Sequence, residues 1–175
     1  YSYAPDTLQY AGFTPFSRIT LRNAAIGFNE KDQPSYRIAC ETASLHGAAM
    51  MIRRDVLQRV GPMTDIFFLF YEEIDWSVRM RRAGYRLWYE PASVVYHKES
   101  MTAQRGTPLR EFYMSRARVL FARRNLDGIR KLLACFYICL LASPKKAIYH
   151  LLHGQFKLSK ATLCGTFSGI TAQSH

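Results

Sequence analysis

The spacing of hydrophobic and polar residues first changes near residue 45, where small and apolar residues follow a turn-rich segment. Residues 1–33 are rich in turn formers, and only the segment RITLR at 18–22 alternates as a strand does. Small and apolar residues follow, and Arg53–Asp55 then predict the start of a short helix. Gly61 and Pro62 predict where that helix ends, because neither residue continues a helix well.

The middle of the chain combines an aromatic run, an acidic cluster and two strand patterns. The aromatic run Phe67–Tyr71 leads directly into three acidic residues, Glu72, Glu73 and Asp75. Acidic residues in a first turn complement the helix dipole, so they predict a helix that begins at this cluster and ends at Gly84. Aromatic and β-branched residues then predict two short strands, Tyr85–Tyr89 and Ser93–His97.

From residue 110 the spacing is helical. Residues 110–125 form an amphipathic pattern, and Asn125–Gly128 break it. The apolar run Leu132–Ala142, followed by Pro144, is too short to cross a bilayer, which requires about 20 apolar residues. Basic residues flank this run, so it predicts a helix in a membrane interface or a helix packed against another domain.

The distribution of charge changes the interpretation mainly for the C-terminal part of the chain. Residues 1–115 contain 14 Lys and Arg against 12 Asp and Glu, whereas residues 116–175 contain 10 against 1. A basic tail favours an anionic membrane surface, nucleic acid or an acidic partner. The tail carries no recognised nucleic-acid motif, so we expect a membrane surface and no nucleic acid. The four cysteines lack metal-ligand spacing and are expected to be buried free thiols.

The acidic cluster permits three kinds of chemistry. Carboxylates at a helix start cap the helix, bind a cation, or provide a general base. Capping is the commonest of the three. His97 follows at the end of a predicted strand, and imidazole with carboxylates can hold manganese or magnesium. A lone histidine is more often structural, so these residues alone leave the choice open.

The segment from Leu45 to Ser100, which contains GAAMMIRRDVL and FFLFYEEIDWSVRMRRAGYRLWYE, resembles family 2 inverting glycosyltransferases, particularly their rhamnosyltransferase-like branch. A weaker likeness continues to about Asn125. The resemblance implies an α/β fold, a partial GT-A domain of Rossmann-like type with a C-terminal α-helical extension. The expected domains are residues 1–112, the acceptor-side half of the GT-A domain, and residues 113–175, a basic amphipathic helical tail.

The resemblance also implies roles for residues of the predicted acidic helix. Glu72 and Glu73 occupy the place of the family's Glu-Asp pair, and Glu73 is the preferred general base. Asp75 matches a further family acid and is a third catalytic candidate. Asp75 and Arg79 are spaced to form an ion pair that orders the helix, and Arg79 is also expected to contact substrate.

The resemblance also implies roles for residues that are not part of the acidic cluster. Gly47 and Ala48 match a small-residue turn that lines the cleft for donor and acceptor. Trp76 offers either an apolar platform for a sugar or a core side chain. His97 matches a family histidine that contacts the metal or the diphosphate.

Two departures from the family pattern limit these expectations. The family more often has Asp where Glu73 stands, which leaves Glu72 in contention as the base. The chain also contains no Asp-x-Asp motif, and it begins without Met. We therefore expect a fragment of a longer protein, inactive alone. The absent N-terminal half would coordinate most of a divalent cation, Mn²⁺ or Mg²⁺.

The expected parent enzyme transfers a sugar, rhamnose among the options, from a nucleotide-sugar donor to a glycan or lipid-linked acceptor. It is expected to be cytoplasmic and peripheral at the inner face of the cell membrane. One alternative is a non-catalytic basic module that binds membrane or nucleic acid, with the acidic cluster as a helix cap. A metal hydrolase that uses Glu73 and His97 is a third hypothesis, but it lacks a dense ligand set.

Overall fold

The computed structural model describes residues 6–17, 19–97 and 104–173. These residues divide into two compact units. The N-terminal unit comprises residues 6–16, 22–63 and 73–97, and the helical unit comprises residues 17, 19–21, 64–72 and 104–173. The expected boundary between residues 112 and 113 falls inside a helix of the helical unit. Arg18, the end of the family-like segment and the start of its weaker continuation lie outside the described residues.

The N-terminal unit contains little regular structure. Its strands pair antiparallel, with Cys40 opposite Tyr89 and Glu41 opposite Trp88. A turn of 3₁₀ helix at Pro34–Arg37 precedes the first strand. The elements of this unit are β1 (Cys40–Glu41), α1 (Arg54–Val60), α2 (Glu72–Arg82) and β2 (Trp88–Tyr89), and only the first residue of α2, Glu72, groups with the helical unit.

Both helices predicted in this part of the chain are confirmed. Helix α1 begins one residue after Arg53 and ends before Gly61, whose backbone N–H donates to the carbonyl of Leu57 at 2.9 Å. Gly61 has a φ of 79°, a conformation that glycine adopts at little cost. Helix α2 begins at the acidic cluster and ends before Gly84, which has a φ of 91°. Local capping signals therefore set these boundaries.

The strand predictions are mostly wrong. Ile19 and Thr20 form a turn and Leu21 has a φ of 53°, so the described part of this segment, residues 19–22, does not extend as a strand. Only Trp88–Tyr89 of the first predicted strand after α2 is paired, and residues 93–97 form no strand. A β-branched segment becomes a strand only when another backbone segment pairs with it, and that partner is a property of the tertiary structure.

The pair β1–β2 is the only sheet within the described residues. A two-stranded antiparallel sheet neither supports nor excludes membership of a larger α/β sandwich. The GT-A assignment therefore stays a prediction.

The core of the N-terminal unit joins its two helices to the segment that leads into β2. Its buried members are Val56 of α1, Trp76 and Met80 of α2, and Leu87. Leu87 also accepts a backbone hydrogen bond from Thr42 at 3.0 Å, which extends the contact between the strand segments. This core fixes α2 against α1, so the orientation of the acidic helix depends on apolar packing.

Among the described residues, the helical unit contains four α-helical segments. The side chain of Thr107 accepts a hydrogen bond from the backbone of Arg110, so it caps the first of them. The predicted break near residues 125–128 is confirmed. The helices are α3 (Pro108–Asn125), α4 (Gly128–Phe136), α5 (Ser143–Leu152) and α6 (Phe156–Thr171).

Helices α4 and α5 are parts of one continuous helix, which extends beyond the apolar run Leu132–Ala142 at both ends. A π-helical turn, Tyr137–Ala142, joins them, so the helix runs over 25 residues from Gly128 to Leu152. Proline crowds the carbonyl four residues before it, and the wider π turn just ahead of Pro144 reduces that crowding. By length and composition this helix can cross a membrane, contrary to the expectation for Leu132–Ala142 alone. Core helices of soluble proteins meet the same criterion.

Helix α6 packs closely on α3 through two glycines. A Cβ atom at Gly165 would lie 2.9 Å from the carbonyl carbon of Phe112, and one at Gly169 would lie 2.8 Å from Cβ of Val119. Arg123 of α3 donates to the carbonyl of Gly169 at 2.8 Å and so satisfies an acceptor at the end of α6. These contacts need the absence of side chains at both glycines.

The cysteines differ from one another in exposure. All four are free thiols, as expected, but none is buried: Cys40, Cys135 and Cys139 are partly buried and Cys164 is exposed. Burial raises the pKa of the Cys135 and Cys139 thiols, which keeps both protonated at neutral pH.

Candidate active site

The site is built on the first turn of α2. Glu73 is half-buried, and its side chain lies against the backbone of Gly47, because a Cβ at Gly47 would be 3.9 Å from Cβ, Cγ and Cδ of Glu73. The small-residue turn and the predicted base are therefore neighbours in the N-terminal unit. The Oε2 atom of Glu72 is buried and has no hydrogen-bond partner among the described residues.

Two buried serines hold the small-residue segment against α2. The Ser77 hydroxyl donates to the backbone carbonyl of Glu73 at 2.6 Å and accepts from the backbone N–H of Leu45 at 3.0 Å. The Ser44 hydroxyl donates to Ser77 at 3.2 Å. Both serine side chains are fully buried, so these bonds are protected from competition with water. The segment that leads to Gly47 is therefore fixed to the helix that carries Glu73.

The predicted ion pair between Asp75 and Arg79 is present. Arg79 Nε lies 3.1 Å from Asp75 Oδ2, and the Asp75 side chain has 0% exposure. Arg79 also donates to the carbonyls of Val60 at 2.9 Å and Pro62 at 2.7 Å. The guanidinium thus joins α2 to the end of α1. Because the Asp75 side chain is completely buried and paired with Arg79, it exposes no surface to a substrate.

Trp76 packs in the core, one of the two roles that its sequence position allows. The residue is 7% exposed, and its indole N–H donates to the carbonyl of Gly61 at 2.8 Å. Both Trp76 and Arg79 therefore hold the end of α1. Trp88 of β2 is 51% exposed, so it is the tryptophan with a free ring surface.

A cleft of about 700 Å³ opens in the N-terminal unit beside the small-residue segment. Ala48 contributes to its wall, and Glu73 is not one of its lining residues. The sequence neighbours of Gly47, His46 and Ala48, line the cleft, whereas Gly47 itself lies close to Glu73. The polar and aromatic members of the wall include Gln9, Tyr10, His46, Trp88, Tyr89 and His97.

His97 belongs to a small group of rings and amides in this wall. Its Nδ1 lies 2.9 Å from the side-chain oxygen of Gln9, so Nδ1 carries the proton and donates it to that oxygen. In the neutral form of such a ring, Nε2 is the atom that can accept a hydrogen bond or bind a cation. The ring of His46 meets His97 edge-on at 6.0 Å between centroids.

Tyr10 and His46 form hydrogen bonds with the backbone beside this group of rings. The Tyr10 hydroxyl donates to the carbonyl of Ser44 at 2.9 Å, and burial raises the pKa of Tyr10 above its usual value. The Nδ1 of His46 accepts from the backbone N–H of Ala48 at 3.2 Å. The first bond ties the residue before Leu45 to Tyr10, so the segment that carries Gly47 is held from the cleft side as well as from α2, and the second bond lies within that segment.

Sequence reasoning missed Gln9, Tyr10, Ser44, His46 and Ser77. Ser77 carried one usable signal, its position four residues after Glu73 on the same helix face. His46 adjoins the glycine that was predicted to line the cleft. Gln9 and Tyr10 lie far away in sequence, and no local pattern marks them.

The segment just before α2 has unusual backbone conformations, and it lies in the helical unit. Phe68, Phe70 and Tyr71 all have positive φ angles between 63° and 70°, which bulky residues rarely adopt. The Arg116 side chain donates to the carbonyl of Ile66 at 2.8 Å, and the Arg110 guanidinium lies 4.8 Å from the ring centroid of Phe70. Helix α3 therefore holds this segment where it leads into Glu72.

The described residues do not by themselves form a metal centre. Within them, no group of three or more His, Cys, Asp or Glu side chains could hold a metal ion. The immediate neighbours of His97 are an amide oxygen and an imidazole, which are not the carboxylate set that magnesium or manganese prefers. The role of His97 as a metal ligand thus stays a prediction.

The chain is similar over a short stretch to a curated hexosyltransferase. A stretch of 37 residues is 43% identical to the low-salt glycan biosynthesis hexosyltransferase Agl10 of Haloferax volcanii. This stretch covers 21% of the present chain and 12% of that protein. No family model and no solved structure match the chain. The similarity supports a glycosyltransferase in broad terms.

Proposed function

We propose that this chain belongs to an inverting glycosyltransferase of family 2, in the rhamnosyltransferase-like branch, with a GT-A catalytic domain. The parent protein would transfer a sugar from a nucleotide-diphosphate donor to a glycan or lipid-linked acceptor. The chain spans about an eighth of the hexosyltransferase that it matches, so this activity is proposed for the whole protein. The observation that carries the proposal is the contact between Glu73, at the start of α2, and Gly47.

In the proposed reaction the carboxylate of Glu73 takes the proton of an acceptor hydroxyl. The acceptor oxygen then forms a bond to the anomeric carbon of the donor sugar, from the face opposite the nucleotide. The bond from that carbon to the diphosphate oxygen breaks, and the diphosphate leaves with the electron pair. The sugar is transferred with inversion, and the proton stays on Glu73 until solvent removes it.

Three features support Glu73 over Glu72 as the base. Glu73 contacts the small-residue turn, and the Ser77 hydroxyl fixes the backbone carbonyl of Glu73 itself. The Oε2 atom of Glu72 is buried in the structure, which disfavours its access to an acceptor. Positioned groups are effective only when held within a fraction of an ångström, and the serine pair provides such support.

The cleft of the N-terminal unit is the proposed place for part of the sugar substrate. Sugars combine apolar ring faces with hydroxyl groups, and they suit a wall of aromatic and hydrogen-bonding side chains. Trp88 offers an exposed ring, and Gln9 and His97 offer polar atoms. Trp88 thereby replaces Trp76 as the proposed platform.

Manganese or magnesium dependence is part of the family expectation, but the residues described here do not supply its ligands. Any such cation would depend mainly on residues beyond those that the structure describes, with His97 as its one predicted contact. No step of the proposed reaction is derived through it.

The experiment compares Glu73→Gln, Glu72→Gln and the matched control Glu41→Gln, an exposed residue of β1. Each is made in the longest natural polypeptide that contains this chain, and sugar transfer from nucleotide-sugar donors is measured. We expect Glu73→Gln to lower kcat by about 10²–10⁴-fold, since it keeps the size of the side chain and removes the base. Glu41→Gln should retain wild-type turnover.

The alternatives give distinct results. Loss of turnover in Glu72→Gln with full activity in Glu73→Gln would assign the base to Glu72. Full activity in both variants would mean that the cluster only caps α2, and the catalytic proposal would be abandoned. A wild-type protein that transfers no sugar from any nucleotide donor would contradict the proposed class.

A further inference from the structure

The continuous helix Gly128–Leu152 carries a row of exposed apolar side chains. The row consists of Ile129, Leu132, Leu133, Phe136 and Leu140, which we name the apolar stripe. Its spacing of three, one, three and four residues places all five on one face of a helix. Four of its members are more than half exposed, at 66% for Ile129 and Leu132, 57% for Phe136 and 59% for Leu140.

Exposed apolar side chains continue along the helical unit beyond the apolar stripe. Soluble monomers rarely leave large apolar patches uncovered, so such a surface indicates a partner. The buried residues of the same helix are Ala134, Ile138, Ser143, Ala147 and His150, so only one large apolar side chain of this helix is buried. The further exposed side chains are Leu141, Ile148, Leu152, Phe156 and Phe167.

Charge identifies what kind of partner this surface suits. From Gly128 to the C-terminus the chain contains six Lys and Arg and no Asp or Glu. Basic residues stand near both helix starts, at Arg130 and Lys131 in α4 and at Lys157 and Lys160 in α6. Positive charge at a helix start opposes the helix dipole, so helix stability does not explain this placement. Apolar and basic residues together complement an anionic lipid surface.

We propose that the apolar stripe lies in the interface of a bilayer that contains anionic lipids, with its helix parallel to the membrane plane. The apolar side chains enter the boundary between headgroups and acyl chains. Neighbouring lysines and arginines meet the headgroup charges. This inference does not depend on the proposed sugar transfer.

Contacts within the helical unit favour a helix in the membrane plane over one that crosses it. Lys146 Nζ lies 2.6 Å from Glu111 Oε1, and the Arg118 guanidinium lies 5.8 Å from the ring centroid of Tyr137. These contacts place α3, with its arginines, beside the centre of the 25-residue helix. A crossing helix would carry those charges to the middle of the bilayer, which is costly.

The test measures sedimentation of the full chain with phosphatidylcholine vesicles, with and without phosphatidylglycerol. We expect binding that requires phosphatidylglycerol and weakens as salt rises. The variant Leu132→Gln/Phe136→Gln/Leu140→Gln should lower the partition coefficient more than tenfold, because it removes the apolar stripe from contact with lipid. The variant Arg130→Gln/Lys145→Gln should lower it by about fivefold for each charge.

The matched control is Ile38→Gln/Met63→Gln, which replaces two exposed apolar side chains of the N-terminal unit and should bind vesicles as the wild type does. Circular dichroism and thermal unfolding should show that the triple variant stays folded, since it changes only exposed positions. Equal binding of the triple variant and the wild type would overturn the proposal. So would the absence of wild-type binding to anionic vesicles.

Two other outcomes would assign the surface differently. A membrane-bound chain that resists extraction by alkaline carbonate would show a crossing helix and overturn the in-plane arrangement. A vesicle-free dimer in sedimentation equilibrium, abolished by the triple variant and unable to bind vesicles, would show that a second copy covers the apolar stripe. Release by carbonate together with a monomer in solution would support the proposal.

Discussion

The two units of this chain use polar and apolar side chains in opposite ways. In the N-terminal unit, polar residues of α2 are bonded within the fold: Asp75 and Ser77 are fully buried, and Arg79, with a side chain 21% exposed, pairs with Asp75. In the helical unit, large apolar residues such as Leu132 and Leu152 are exposed. Buried polar groups need partners in fixed geometry, whereas exposed apolar groups need a partner that the chain does not supply.

This difference indicates two kinds of function. A bonded polar network positions a few atoms accurately, which suits a chemical step at Glu73. An exposed apolar surface offers area without fixed geometry, which suits a fluid partner such as a bilayer. Changes to the network should therefore alter stability strongly, and changes to the exposed surface should alter association instead.

The largest expected effect comes from Arg79→Ala. It would leave the buried Asp75 carboxylate without its ion-pair partner and remove two bonds to the end of α1. We expect the free energy of unfolding to fall by about 3 kcal/mol. Urea denaturation measures this, and Arg81→Ala, at an exposed position on the same helix, is the control. If Arg79→Ala lowers the free energy of unfolding no more than Arg81→Ala does, the bonds of Arg79 contribute little stability.

Gly165→Ala should have the next largest effect, and it tests packing in the helical unit. A Cβ there meets backbone atoms of Phe112, which cannot rotate away, so α6 and α3 must separate. We expect a loss of about 2 kcal/mol in thermal unfolding. Cys164→Ala, at the exposed neighbouring position, should change stability by less than about 0.5 kcal/mol. Equal stability of both variants would contradict the close approach of the two helices.

Ser77→Ala should have the smallest effect on stability but a specific local one. The backbone N–H of Leu45 would lose its acceptor, at a cost of about 1 kcal/mol. Amide hydrogen exchange should accelerate at Leu45 and stay unchanged at Thr42, whose N–H donates to Leu87. Unchanged protection at Leu45 would show that Ser77 does not hold this segment. The control Ser35→Ala changes an exposed serine.

Several features of the site were predictable because they are local. The helix that begins at Glu72 and the ion pair between Asp75 and Arg79 follow from residue types at neighbouring positions. The family resemblance predicted Gly47 in the cleft and Glu73 as the base, but no prediction placed these two residues side by side. The bonds of Ser44 and Ser77, and the approach of Gln9 to His97, join residues distant in sequence. No pattern in either segment specifies the other.

Local residue types specify the ends of α1 and α2, the acidic helix start and the basic character of the tail, because capping and charge act within a few residues. Tertiary contacts decide that residues 19–22 and 93–97 form no strand and that Trp76 is a core residue, and a π turn carries the helix through Pro144. Each of these depends on packing or pairing with a segment elsewhere in the chain, or on a change of helical turn. Long-range partners, rather than local preference, set those outcomes.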